Sequence, residues 1–177
     1  MSKETLTDVV FSEEEITARV KALAVEINRD YAGKELVVIC VLKGAFMFFS
    51  DLVKRIDVRP ELDFVRIASY GKGMKSGERV YFTKDVELPL KDKHVLVVED
   101  VVDTGRSMDF LFKQLKARGA SGIKLCALVD KFERRTADIK VDYAGFKLDE
   151  GFIVGYGLDY AEKYRELPEI RILKLEQ

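Results

Sequence analysis

The sequence predicts an α/β fold: an open, mostly parallel sheet flanked by helices. Three observations predict it. The runs LVVICVL at 36–42, HVLVVED at 94–100 and IKLCALVD at 123–130 have apolar centres without alternation, the first of them rich in β-branched residues. That is how strands buried on both faces of a parallel sheet read. Segments of helical periodicity separate such runs, and strand–helix alternation is the signature of parallel crossover units. The length, 177 residues, fits one domain at roughly 100–200 residues each, with room for a small appended lobe.

The elements follow in order. Residues 12–31 form a helix: Ser12 and Glu15 fit a capping box, Ile16, Val20, Leu23, Ala24 and Ile27 recur at helical spacing, and Gly33 ends the segment. Strand 36–42 stops at Lys43-Gly44, and 45–56 reads as a second helix. A strand from about Leu62 to Ser69 leads into the glycine- and lysine-rich loop 71–78, and 79–85 returns as a strand. Strand 94–100 precedes a helix at 105–118 that carries Met108, Leu111, Phe112 and Leu115 on one face and ends at Gly119. Strand 123–130 follows, then short strands near 142–148 and 152–155 and a C-terminal IRILKL. The sequence contains no internal repeat and no linker.

Composition narrows the function classes. Apolar residues make up 47% and charged residues 34% of the chain, a globular balance. Thirty basic against 31 acidic residues give a net charge of −1, which argues against wrapping by nucleic acid. No apolar run approaches the roughly 18 residues of a membrane span, and the polar, acidic start MSKETLTDVVFSEEE is not a signal peptide. The chain reads as a cytoplasmic protein with neither a nucleic-acid nor a membrane partner. Cys40 and Cys126 sit in apolar runs and read as buried, reduced thiols. The single histidine, His94, opens a strand and reads as structural. With no C-x-x-C, G-x-S-x-G or H-E-x-x-H motif, chemistry falls to carboxylates, lysines, arginines and backbone amides.

The strongest signal is V-V-E-D-V-V-D-T-G-R-S at 97–107. A buried strand ends in two carboxylates, Glu99 and Asp100. Two apolar residues later, Asp103-Thr104-Gly105 is a tight turn that opens a helix, followed by Arg106 and Ser107. Ligands of open α/β sheets bind at strand carboxyl ends. Amides at a helix N-terminus favour a phosphate. The adjacent acids suit the hydroxyls of a ribose or the shell of a hard cation. Solvated acids with an N-cap aspartate at 103 are the plain alternative.

This segment resembles the phosphoribosyl-pyrophosphate-binding motif of the phosphoribosyltransferases. L-K-G-A-F-M-F-F-S-D-L at 42–52, S-Y-G at 69–71, L-V-D-K at 128–131 and F-I-V-G-Y-G-L-D-Y-A-E-K-Y-R-E-L-P at 152–168 resemble, in the same order, the hypoxanthine-guanine branch of that family. The resemblance covers roughly residues 36–170. It implies the type I phosphoribosyltransferase fold, as a single domain over 1–177 with a core at about 36–150 and a hood from the N-terminal segment and the C-terminal region. It also implies transfer of the phosphoribosyl group to N9 of a 6-oxopurine, hypoxanthine or guanine, with release of pyrophosphate.

The roles the resemblance implies are specific. Asp103 is the general acid/base near purine N7. Residues 103–107 hold the 5′-phosphate, and Glu99 and Asp100 face the ribose and Mg²⁺. Leu42, Lys43 and Gly44 form the pyrophosphate loop, with a cis peptide between Leu42 and Lys43, and Arg165 is a further pyrophosphate contact. Lys131 hydrogen-bonds purine O6, Phe152 stacks on the base and Ile153 offers backbone hydrogen bonds. Asp159 is the direct Mg²⁺ ligand. Ser69 and Tyr70 hinge a lid at 71–78. Family members are dimers or tetramers, so a homo-oligomer is expected. Two alternatives stay open: a regulatory nucleic-acid-binding protein on the same fold, and a transferase acting on adenine, uracil or orotate. Against the first, a regulator has little reason to keep Lys131, Phe152, Asp159 and Arg165 together. Lys131 and the F-I-V-G-Y-G-L-D segment argue against the second.

Overall fold

The structure is a computed structural model that describes residues 3–70 and 79–176. Among the described residues it has nine strands and three helices. In chain order these are β1 (Lys3–Phe11), α1 (Glu13–Asp30), β2 (Leu36–Leu42), α2 (Phe46–Val53), β3 (Glu61–Tyr70), β4 (Arg79–Lys84), β5 (His94–Val102), α3 (Arg106–Ala117), β6 (Gly122–Asp130), β7 (Tyr143–Lys147), β8 (Ile153–Val154) and β9 (Ile170–Glu176). The main sheet runs β4-β3-β2-β5-β6-β7. All its pairings are parallel except β3 with the edge strand β4. A second, three-stranded antiparallel sheet, β1-β9-β8, joins the chain ends.

Side-chain alternation along the buried strands divides the core in two. Val38 and Cys40 of β2, Leu96 and Val98 of β5 and Cys126 and Leu128 of β6 pack with α1 and α2 on one face. Their neighbours Val37, Ile39, Val95, Val97, Leu125 and Ala127 pack with Leu111 and Leu115 of α3 on the other. Residues 95–98 are therefore buried on both sides, and each contributes roughly 1.5–3 kcal/mol of transfer free energy. The continuous apolar runs have this cause. After His94 at its amino end, the next polar side chains of β5 come only at its carboxyl end.

The sequence-predicted helices are close to those observed. Ser12 caps α1: its Oγ accepts from Glu15 N, and Glu15 Oε2 accepts from Ser12 N. α2 is shorter than the predicted 45–56, because residues 54–56 leave the helix as a turn. The N-terminal strand β1 is not predicted at all. Its pairing with β9 slips between Leu6 and Val9 and again between Val9 and Phe11, so its apolar residues do not alternate cleanly. No helix among the described residues is long and apolar enough to cross a membrane. His94 opens β5 with its ring edge-on to Tyr31, at the end of the strand away from the carboxylates.

One polar cluster ties α1 to the sheet. Tyr143 donates to Asp30 Oδ2 at 2.7 Å, and Lys124 Nζ lies 3.2 Å from the same oxygen. An aspartate at a helix C-terminus is opposed by the macrodipole, and these two donors offset that. Tyr143 first, then Lys124, lower the Asp30 carboxyl to about 2. The group's pKa falls on folding, so its contribution is present above the unfolded value of about 3.9 and is lost as pH falls toward about 2. Asp30→Asn should therefore melt below the wild type near neutral pH. The gap should close as both are melted at successively lower pH; a constant gap would exclude this linkage.

Candidate active site

The carboxyl ends of β2, β5 and β6 meet the segment 151–165 around three cavities. The first, about 810 Å³, is lined by Asp100, Asp103, Lys131, Phe152, Ile153 and Asp159, among others. The second, about 300 Å³, is lined by Leu42, Lys43, Gly44, Ser107, Asp159 and Arg165, with Glu99 and Asp100 at its base. The third, about 170 Å³, is bounded by Glu99 and by residues 101–108. Each pair shares residues: Asp100 and Asp159 join the first and second, Glu99 and Ser107 the second and third, and Asp103 the first and third. The structure thus brings together every residue singled out in the sequence except Ser69 and Tyr70. Those two end β3, and the loop 71–78 lies outside the described residues.

The third cavity is built by a left-handed turn. Gly105 takes φ +81° and is the N-cap of α3, with no side chain capping the helix. Asp103 is therefore not an N-cap, contrary to the plain alternative. Arg106, Ser107 and Met108 of the first turn of α3 line this cavity, and amides of a helix's first turn have no intrahelical acceptor. Asp103 Oδ1 is buried with no hydrogen-bond partner among the described residues, and Oδ2 lies 3.2 Å from Arg134 Nη1. A buried oxygen without a partner costs stability unless something else uses it.

The second cavity is crowded by design of the backbone. A Cβ on Gly44 would stand 1.6 Å from Asp100 Oδ2, and one on Gly157 would stand 2.2 Å from Gly44 O. The Leu42–Lys43 peptide is cis, as the resemblance implies. Arg165 Nη1 donates to Gly157 O at 2.7 Å, and Nη2 sits 2.9 Å from Asp159 Oδ1 and 3.3 Å from Glu162 Oε2. Lys43 Nζ contacts the same Glu162 oxygen at 2.9 Å. Lys43, first, and Arg165 hold the Glu162 carboxyl below its usual range. Burial, then the charge of Asp100, pushes the Glu99 carboxyl well above it.

In the first cavity Lys131 Nζ donates to Gly151 O at 2.6 Å, and Lys131 N donates to Val102 O, which ties the end of β6 to that of β5. Phe152 is 48% exposed, with its ring perpendicular to that of Tyr160 at a centroid distance of 5.6 Å. Read alone it would be a core residue, but it stands half exposed in the cavity wall.

Several residues at or behind the site were not singled out in the sequence. Arg66 lines the second cavity, Glu162 bridges Lys43 and Arg165, and the pair Arg134-Arg135 flanks Asp103. Glu162 lies within the segment that carries the resemblance and could have been found there. The arginine pair reads as ordinary solvated charge.

Thiol chemistry does not contribute. Burial first, then Glu99 and Asp100, pushes the Cys40 thiol up to about 12, and burial raises Cys126 further. Neither is a nucleophile at neutral pH. A thiol-reactive chromogenic reagent should label the native protein negligibly and release two equivalents per chain once denaturant is added. Rapid native labelling would contradict this burial.

The comparisons agree with this geometry. A family model described as the phosphoribosyl transferase domain matches residues 8–161. The chain is 42% identical over 174 residues to the hypoxanthine-guanine phosphoribosyltransferase of Bacillus subtilis, covering 98% of this chain and 97% of that protein. It is 42% identical over 176 residues to that of Streptococcus thermophilus, covering 99% and 98%. A crystal structure of a hypoxanthine phosphoribosyltransferase from Staphylococcus aureus superposes with a TM-score of 0.91 at 41% identity, covering 96% of this chain and 92% of that one. One of a hypoxanthine-guanine phosphoribosyltransferase from Bacillus anthracis gives 0.91 at 40% identity, covering 97% and 100%. Full-length similarity at this level, on a fold whose strand ends carry the three joined cavities, assigns the chain to the hypoxanthine-guanine phosphoribosyltransferase family.

Proposed function

We propose that the chain transfers the 5-phosphoribosyl group from phosphoribosyl pyrophosphate to N9 of hypoxanthine and guanine, releasing pyrophosphate. The observation that carries the reading is the triangle of cavities. One is large and faced by an aromatic ring and an ammonium. One is small and faced by Lys43 and Arg165. One is small and faced by helix-terminal amides. A base, a diphosphate and a 5′-phosphate need these three environments, and the ribose that links them would lie over Glu99 and Asp100 where the cavities share walls. The relatives named above carry the same activity in their names.

The residue roles are those the resemblance implies, and the chemistry of each group supports them. Positive charge develops on the ribose as the bond to the diphosphate breaks, and the Asp100 carboxylate at the β5 end stabilises it electrostatically, with Glu99 facing the ribose hydroxyls. Asp103, with one buried oxygen available, exchanges a proton at purine N7. The Lys131 ammonium donates to O6; donating only, it favours a 6-oxo over a 6-amino base. Phe152 stacks on the ring and Ile153 offers its backbone. The amides of 104–107 hold the 5′-phosphate, and Leu42, Lys43, Gly44 and Arg165 the diphosphate. Ser69 and Tyr70 hinge a lid over the site. Residues 1–177 act as one unit, with the core at about 36–150 and the β1-β9-β8 sheet as a hood.

Mg²⁺ belongs to this reading. Among the described residues no group of three His, Cys, Asp or Glu side chains is arranged to hold a metal by itself. That fits an ion that keeps few protein ligands and binds chiefly through substrate phosphates. Asp159 would be its direct ligand, with Glu99 and Asp100 toward the ribose side. When bound, Mg²⁺ neutralises charge on the leaving diphosphate. A cytoplasmic homo-oligomer, dimer or tetramer, without a nucleic-acid or membrane partner, completes the proposal.

A substrate panel tests it. With phosphoribosyl pyrophosphate and Mg²⁺, hypoxanthine and guanine should be converted to their 5′-monophosphates and adenine poorly. Turnover of adenine alone would move the chain to another branch, and salt-sensitive RNA binding without any turnover would favour a regulator. Lys131 gives a sharper check. Losing a charge-assisted hydrogen bond costs about 1.5–3 kcal/mol, or roughly tenfold to a hundredfold. Lys131→Ala should raise KM for hypoxanthine and guanine by that factor, leave KM for phosphoribosyl pyrophosphate nearly unchanged and relax discrimination against adenine. Unchanged purine KM values in a folded variant would take Lys131 out of the site.

A further inference from the structure

Arg134 and Arg135 are neighbours in sequence with opposite surroundings. The Arg134 side chain is 75% exposed and the Arg135 side chain 16%. Arg135 points inward, behind the turn that carries Asp103. Its Nε donates to Asp103 O at 2.9 Å, Nη1 to Ile139 O at 2.9 Å, and Nη2 to Val102 O at 3.2 Å and to Asp130 Oδ1. The Asp130 carboxylate, itself nearly buried, neutralises the guanidinium. The next residues continue the grip: Thr136 N and Ala137 N both donate to Thr104 O, at 3.0 and 3.1 Å. The Arg135 stem also closes on Gly105, where an added Cβ would stand 3.0 Å from Arg135 Cδ.

The carbonyls of Val102, Asp103 and Thr104 are thus held in succession from one side. In a planar trans peptide the C=O and the following N–H point in opposite directions. Pinning Asp103 O and Thr104 O backward therefore aims the N–H groups of Thr104 and Gly105 forward, toward the cavity those residues line. The same anchor fixes the backbone from which the Asp103 carboxylate projects. Arg135 itself does not line that cavity or either of its neighbours.

We propose that Arg135 is a positioning residue: its guanidinium, balanced by Asp130, holds the 102–104 carbonyls so that the anion-binding amides and the Asp103 carboxylate face their ligands. This rests on the phosphoribosyl-transfer reading and adds to it a residue that never touches substrate. A planar fork reaching several carbonyls at once is something lysine cannot reproduce. Charge and geometry can therefore be separated by substitution.

The test is steady-state kinetics of wild type, Arg135→Gln and Arg135→Lys with hypoxanthine, phosphoribosyl pyrophosphate and Mg²⁺, alongside thermal melts. Misplacing binding and catalytic groups by a fraction of an ångström to about an ångström costs on the order of tenfold to a hundredfold. In Arg135→Gln, kcat/KM for phosphoribosyl pyrophosphate should fall at least about tenfold while KM for hypoxanthine stays within about twofold. Arg135→Lys should recover stability without recovering those constants. In an Asp103→Asn background the effect of Arg135→Gln on kcat should shrink and its effect on KM for phosphoribosyl pyrophosphate should persist. Wild-type constants in a folded Arg135→Gln, or an equal rise in both KM values, would overturn the proposal. If Arg135→Gln does not fold, Arg135→Lys decides alone: a selective loss toward phosphoribosyl pyrophosphate supports it, and wild-type kinetics or failure of both variants to fold overturns it. An inactive wild type would remove the transfer reading, and this inference with it. An active wild type with an indifferent Arg135 would remove this inference only.

Discussion

The dependence of this molecule on β5 begins with a restriction on polarity. Residues 95–98 are enclosed between α1/α2 on one face and α3 on the other, so no ionisable side chain can stand there without a large desolvation cost. Charge is admitted only where the helices no longer cover the strand, at Glu99 and Asp100. Even there, Glu99 is nearly enclosed and its carboxyl is driven toward the neutral form. The two carboxylates are held at the edge of the hydrophobic sandwich, and the cavities open at that edge.

From the strand end outward, the site is assembled by backbone approaches that tolerate no side chain. Asp100 abuts Gly44 of the β2–α2 turn, and Gly44 O in turn abuts Gly157. Segments more than a hundred residues apart in sequence are stacked in this way on one carboxylate. Arg165 then closes the stack, donating to Gly157 O while it faces Asp159 and Glu162. The cations of the second cavity are not free-floating surface charges. Lys43 and Arg165 share one carboxylate oxygen of Glu162, and a multiply charged anion would compete with that carboxylate for both.

Much of this was legible in the sequence, for identifiable reasons. The two-sided burial of β2, β5 and β6 leaves an unbroken apolar signature, and α1 announces itself through the Ser12–Glu15 box. The polar break at Glu99-Asp100 and the turn at Asp103-Thr104-Gly105 are local patterns, so they too could be read. What could not be read depends on distant partners. β1 is a strand because β9 offers it hydrogen bonds, and its bulges erase the period-two pattern. Arg135 is buried because Asp130 and three carbonyls converge on it, while in sequence it is one basic residue beside another. Phe152 misleads in the opposite sense: an aromatic side chain reads as core, and its place in the cavity wall leaves it half exposed.

The segment 155–165 shows how the fold uses strain where the site needs it. Four of the six non-glycine residues with left-handed φ among the described residues, Tyr156, Ala161, Glu162 and Tyr164, fall within it. Each costs on the order of 1–3 kcal/mol unless the surroundings impose it. Here they do. Tyr156 N donates to Leu167 O at 2.7 Å and Gly157 N to Arg165 O at 2.9 Å, and Tyr160 and Lys163 exchange backbone bonds at the tip. Tyr156 also donates its hydroxyl to Asp51 at 2.7 Å, and its ring is buried against the α1/α2 core. The result is a tight tongue rooted in the hydrophobic core at one end. Along it Asp159 is fixed between Arg165 and the amide of Glu162. A flexible loop would carry the same residues, but it would have to be ordered each time a ligand bound. Here the ordering is supplied by the folded core, before any ligand arrives.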